Sequence, residues 1–338
     1  MGKYFSLLFS FLLCFINTGS QAASSGCVDD GAVKFLCGPI SPEDLLDLPG
    51  SPWVVASGME DDGYLYLTNS EDYTSFAVYP SDTVAHRLDT TTYRDCPGYD
   101  MSGFRPHGLS LNIGENGVHT LLVVRHGVRE SIEVFEIEET ESIPNITWIG
   151  CVIAPQDVVF NSVVFTPDGG MAGTHFQLPT GFVYEWHQHS GWEQVPGSEI
   201  AGPNGIELSS DGRWFYIAGW GSRSLIKLSR GQSNVIVDSI ELPHHIDNIR
   251  WSVDGSLLAA GHVGPLPMSV LQCLSQEECD GVSTRVTRVD VNNLTAREII
   301  NYPSTPNFIL GTVAIEVGNE IWVGGIGGSD RIARFEYR

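Results

Sequence analysis

The stretches that decide the fold are FTPDGG (residues 165–170), LSSDGRWFYIAG (208–219) and WSVDGSLLAAG (251–261). Each is an apolar run with alternation, an Asp-Gly pair, then a second apolar run. Asp-Gly between alternating strands marks a tight hairpin, because such turns need residues that accept positive φ. The turn aspartates Asp168, Asp211 and Asp254 lie 43 residues apart in both intervals. A fixed period of about 40–50 residues is the repeat of propeller blades. Weaker copies extend the series: Leu48-Pro49-Gly50-Ser51 ahead of PWVVASG, Asn116-Gly117 ahead of VHTLLVV, and Gly318-Asn319 ahead of EIWVGG. Six units predict an all-β, six-bladed β-propeller with a central channel. A β-sandwich would also be rich in short strands, but it gives no reason for equal spacing.

The 338 residues carry a formal net charge of −23, and 42% are hydrophobic. That is enough apolar material for a sizeable core and argues against global disorder. The negative balance argues against a nucleic-acid partner and disfavours docking on anionic membranes. At the N-terminus, Lys3 precedes an apolar run from Tyr4 to Ile16, followed by polar NTGSQAA. This order is that of a secretory signal over residues 1–22, with cleavage after Ala22 and a single propeller domain over 23–338. The run is too short for a comfortable transmembrane segment of about 20 residues. The expected location is extracellular, or periplasmic in a bacterium. Six cysteines remain after cleavage, and an even number in an exported chain reads as disulfides. Proximity in sequence favours Cys27–Cys37 and Cys273–Cys279, leaving Cys96–Cys151, among the 15 pairings that six cysteines allow. Asn145 and Asn293 head glycosylation sequons in a eukaryotic host.

Polar residues recur at one phase of the repeat. Seven residues ahead of the turn stand Glu43, Asn161, Asn204, Asp247 and Thr312, counted from Gly50, Asp168, Asp211, Asp254 and Asn319. The second unit has a longer turn, and matching PHGLSL to PNGIEL places His107 at the same phase. Equivalent positions near the inner ends of propeller blades converge on the channel. Singly, each residue could be a turn cap. Together, Glu43, Asn161, Asn204 and Asp247, with adjacent Asn248, offer only oxygen ligands, which is the preference of a hard cation such as Ca²⁺. Mg²⁺ and Mn²⁺ share that preference, whereas Zn²⁺ more often recruits Cys or His.

The segments PEDLLDLPGSPWVVASG, RPHGLSL, TLLVVRHGVRESIEVFEIE, PNGIELSSDGRWFYIAGW, HIDNIRW and GTVAIEVGNEIWVGG resemble the serum paraoxonases and arylesterases. More broadly the chain, from about residue 37 to 338, is similar to the gluconolactonase and senescence-marker propellers. The resemblance implies a six-bladed propeller that hydrolyses lactones and aryl esters with a catalytic calcium. Carried over, the calcium ligands are Glu43, Asn161, Asn204, Asp247 and Asn248, and a histidine pair falls on His107 and His126. His262 matches a further pocket histidine. The resemblance also implies a second, structural calcium: Asp44 matches one of its acidic ligands, but Ser162 stands where the family has Asp. The family's disulfide between the two termini lacks its C-terminal partner, since the chain ends RFEYR.

The expected chemistry is hydrolysis of a small-molecule lactone or ester. Calcium would polarise the carbonyl and stabilise the oxyanion, with His107 as general base relayed by His126. Asp247 is the alternative base or nucleophile. His244 and His245 would line the mouth or belong to a solvated loop. No GxSxG elbow is present, which argues against a serine hydrolase. The rival from another class is a non-catalytic, metal-stabilised propeller that binds ligands. Specificity is expected from residues 69–105 and 263–285, which show no repeat pattern.

Overall fold

A computed structural model describes residues 27–265, 269–273, 279–327 and 329–337. Residues 1–22, read above as a signal segment, lie outside the described residues. Six antiparallel sheets succeed one another along the chain, forming a six-bladed β-propeller. The innermost strands are Pro42–Asp47, Phe104–Asn112, Phe160–Phe165, Pro203–Leu208, His245–Trp251 and Leu310–Val317, for blades 1 to 6 in order. Each pairs with the next strand through the turn that the sequence repeat marks. The turn glycines have positive φ, +70° at Gly212 and +79° at Gly255. The neighbouring aspartates accept backbone N–H bonds two residues on, Arg213 N to Asp211 Oδ1 at 3.1 Å and Ser256 N to Asp254 Oδ1 at 3.0 Å.

The ring closes through strand pairing. Lys34–Cys37 forms the outer strand of blade 6, in antiparallel register from Lys34 against Arg334 to Cys37 against Arg331. A backbone ladder therefore joins the first and last strands, where the family's terminal disulfide has no C-terminal cysteine in this chain. The disulfides are Cys27–Cys37, Cys96–Cys151 and Cys273–Cys279. Blade 2 gains a fifth strand, Ala85–His86, parallel to Asn145–Ile153. Apolar layers lie between adjacent blades; Val164 and Ala172 of blade 3, for example, pack with Ile206 and Phe215 of blade 4. No helix among the described residues is long and apolar enough to cross a membrane.

Candidate active site

The six residues at the shared phase occupy one structural feature. Every innermost strand shifts register against its neighbour there, between Pro42 and Asp44, Pro106 and Leu109, Phe160 and Val163, Pro203 and Ile206, Ile246 and Ile249, and Gly311 and Val313. The residues skipped or straddled are Glu43, His107, Asn161, Asn204, Asp247 and Thr312. A β-bulge releases a residue from the ladder and re-aims its side chain. Glycine follows two of them so that strands can approach. A Cβ on Gly108 would lie 2.6 Å from the Asn161 carbonyl, and one on Gly205 would lie 2.7 Å from the Asn248 Cα. This is the physical content of the PHG and PNG motifs.

The bulges bring Glu43, Asn204, Asp247 and Asn248 together, all buried. Asn248 Nδ2 donates to Glu43 Oε1 at 2.6 Å, and the Asn204 amide hydrogen-bonds to Asp247. Thr312 does not offer its hydroxyl to the ring; Oγ1 donates to the Glu43 carbonyl at 2.6 Å and fixes the strand. The oxygens on the other side of these groups have no partner. Glu43 Oε2, Asn161 Oδ1, Asn204 Oδ1 and Asn248 Oδ1 are all buried and without a hydrogen bond. Buried polar atoms are almost always satisfied, so four orphaned acceptors on four neighbouring side chains suit a shared hydrogen-bond donor or a cation. Burial pushes the Asp247 carboxyl well above the ordinary carboxylate range, and Glu43 nearby pushes it further. Asp247 in so dry a site resists ionisation unless a cation sits beside it. The residues present therefore fit a hard cation with oxygen ligands.

His107 stands at the edge of this set. Its Nε2 lies 3.6 Å from Glu43 Oε1, and its Nδ1 lies 2.9 Å from His126 Nε2. His126 Nδ1 in turn lies 2.7 Å from Glu130 Oε2. Since a carboxylate only accepts, His126 donates through Nδ1, its Nε2 accepts from His107 Nδ1–H, and the lone pair of His107 falls on Nε2, toward the ring. Burial holds His126 below the usual histidine range, and Glu130 opposes that shift. Glu130 escaped the sequence reading. Hairpin register could have found it: Arg125 pairs with Ser131, so the next residues across the turn are His126 and Glu130.

A cavity of about 140 Å³ opens on this site. Glu43, His107, Asn161, Asn204, Asp247 and His262 form its polar end; Met59, Phe176, Trp220, Leu271 and Ile326 contribute apolar wall. His262 is buried and receives the Trp220 indole N–H at Nε2, 3.0 Å away, and burial pushes it down to about 3. It is a neutral wall residue. His244 and His245 are buried too, so the solvated-loop expectation fails: His245 stacks on Trp220 at 4.2 Å and bonds the Trp220 carbonyl at 2.7 Å. Val270 and Leu271, from the 263–285 stretch, line the cavity, whereas residues 69–105 contribute nothing to it. That stretch packs outward instead, with Tyr99 against Trp148 and Cys96 bonded to Cys151.

Asp44 points away from the ring. Its carboxylate pairs with the guanidinium of Arg250 and accepts Leu45 N at 2.9 Å and Leu109 N at 2.8 Å. The residues there do not fit a second metal ion. A separate cluster of Asp168, Glu185 and His187 has ligand-type atoms within 4.8 Å of one another. Arg230 bridges its two carboxylates at 2.6 and 2.5 Å, so its charge is already answered.

Over 138 residues the chain is 30% identical to serum paraoxonase/arylesterase 1 of Homo sapiens, covering 36% of this chain and 37% of that protein. The Rattus norvegicus protein aligns at 30% identity over 135 residues, 35% and 37% of the two chains. The chain is a distant relative of serum paraoxonase/arylesterase 1. The alignment spans little more than a third of these relatives' own length. No family profile matches the chain. Among solved structures, a luciferin-regenerating enzyme superposes with a TM-score of 0.53 at 12% identity, covering 88% of this chain and 92% of that one. A regucalcin from Agrobacterium tumefaciens, described as a calcium-binding protein, gives 0.52 at 12% identity over 89% and 92%. These likenesses establish the propeller fold alone.

Proposed function

We propose that this chain is a secreted, calcium-dependent hydrolase of lactones and aryl esters, acting as one folded unit over residues 23–338. The observation that carries the reading is the set of four unpartnered buried oxygens beside a histidine relay at the channel. Glu43, Asn161, Asn204, Asp247 and Asn248 would hold the ion. Calcium bound there would supply Lewis-acid polarisation of the scissile carbonyl and stabilisation of the oxyanion.

The chain's own residues supply the proton path. His107 Nε2 takes a proton from the attacking water, and His126 steadies the resulting imidazolium through Nδ1 of His107. Glu130 holds His126 in the tautomer that this requires. The same proton then passes to the leaving alkoxide, so water adds across the acyl–oxygen bond with no net proton change. The apolar wall of Met59, Phe176, Trp220 and Leu271 favours uncharged substrates with an aliphatic or aryl portion. The apolar leader and the three disulfides support export.

The test is hydrolysis of a panel of lactones and phenyl acetate by the full chain, with calcium and after chelation. Turnover that chelation abolishes and calcium restores is expected. Calcium binding with no turnover of any panel member would refute the enzyme and leave a ligand-binding propeller.

A further inference from the structure

Arg250 is the most enclosed cation of the inner ring. It rises from the innermost strand of blade 5, and its side chain is only 5% exposed. On blade 1 it meets the Asp44 carboxylate and, from Nε, the Leu45 carbonyl at 3.3 Å. On blade 2 it donates to the Leu109 carbonyl at 2.9 Å, and on blade 4 to Glu207 Oε1 at 3.0 Å. Two carboxylates and two carbonyl oxygens from three blades thus converge on one guanidinium held by a fourth. Such an oxygen-only set, buried and anionic, is also what a hard divalent cation collects. The two settings differ: the Glu43 ring leaves four acceptors unpartnered, whereas both oxygens of Asp44 are engaged and only the neutral Ser162 hydroxyl lacks a partner. Ser162, where the resemblance leads one to expect a carboxylate, supplies no charge.

We infer that Arg250 is the built-in cation of this second axial position, so that the chain binds one metal ion where its resemblance implies two. A guanidinium suits the role because it is planar, permanently charged, weakly hydrated and carries five donors in a fixed fork. Being covalent, it joins blades 1, 2, 4 and 5 in a way that no chelator can undo. The position acts on the assembly of the ring and not on the reacting atoms.

The experiment counts calcium in the full chain by atomic emission after saturation and desalting, in wild type and in an Asn204→Ala/Asp247→Asn variant. One ion per chain in wild type and none in the variant is the expected result. Two ions in wild type, or one retained by the variant, would overturn the inference by placing a cation at Asp44. No ion in either protein would overturn the count of one and refute the Glu43 ring as a metal centre, leaving the role of Arg250 to the second arm. A second arm measures thermal unfolding of Arg250→Lys and Arg250→Met in chelator. A fall of roughly 5–10 °C is expected for Met, since it strands two buried carboxylates, and a smaller fall for Lys. Both variants melting with wild type would show that the guanidinium fastens nothing.

Discussion

Replacing Asn204 by Leu should reverse the sign of its effect on stability between calcium and chelator. The reasoning starts from Glu43 Oε2, Asn161 Oδ1, Asn204 Oδ1 and Asn248 Oδ1, the four buried acceptors without a partner. A buried unsatisfied polar atom costs about 1–3 kcal/mol, so the four together cost up to about 4–12 kcal/mol when neither water nor a cation answers them. Unfolding entropy of about 2.1 cal/mol/K per residue gives roughly 0.6 kcal/mol/K over about 300 residues. Calcium should therefore raise the wild-type Tm by about 6–20 °C over its value in EGTA. Asn204→Leu deletes one orphaned oxygen and one amide hydrogen bond to Asp247. In EGTA those losses nearly cancel, at about 1–3 kcal/mol against about 1 kcal/mol, and the variant should melt at or slightly above wild type. In calcium the variant lacks a ligand and should melt below wild type. Scanning calorimetry of both proteins in calcium and in EGTA reads all four values. A wild-type Tm that ignores EGTA, or a variant that keeps the full calcium increment, would refute the cation site.

Three further outcomes follow from the same geometry. His107→Gln should lower kcat for lactones by about 10²–10⁴-fold while calcium titration stays unchanged, and an unaltered rate would remove His107 as the base. Glu130→Gln should lower kcat by between about 10- and 100-fold with KM unmoved, because the substitution removes the charge that steadies a protonated relay; a change confined to KM would instead place Glu130 in substrate binding. His244 is fully enclosed, and burial pushes it down from 6.5 to about 4. The unfolded chain then binds a proton near pH 6.5 that the folded chain refuses until about pH 4, so stability falls as pH drops through that window. The loss is at most about 3 kcal/mol, and His244→Gln should flatten the acid limb of a Tm-against-pH profile. An unchanged limb would assign the acid sensitivity to other groups.

The fold was legible because hairpin chemistry is local. Three Asp-Gly turns at a 43-residue spacing and three weaker copies mark where each blade folds back, and the six together define the ring whatever the strands pack against. The ring of polar residues was legible for the same reason, since equal phase in a repeat means equivalent position in space. The bulges that turn those side chains inward were not, because a register shift belongs to two strands at once. Glu130 was missed although it lies only four residues from His126, for its role depends on the hairpin register that sets them side by side.

Arg250 marks the limit more sharply. Its partners on other blades, Asp44, Leu45, Leu109 and Glu207, lie between 43 and 206 residues away in the chain. Within HIDNIRW it reads as an ordinary strand residue, and Asp44 reads as a metal ligand. The repeat alone determined that six strands meet around an axis and which residue types reach it. Only closure of the ring decided which of those carboxylates kept an unpartnered oxygen and which were already answered by a guanidinium. That choice depends on where charges from distant blades come to rest in a dry interior.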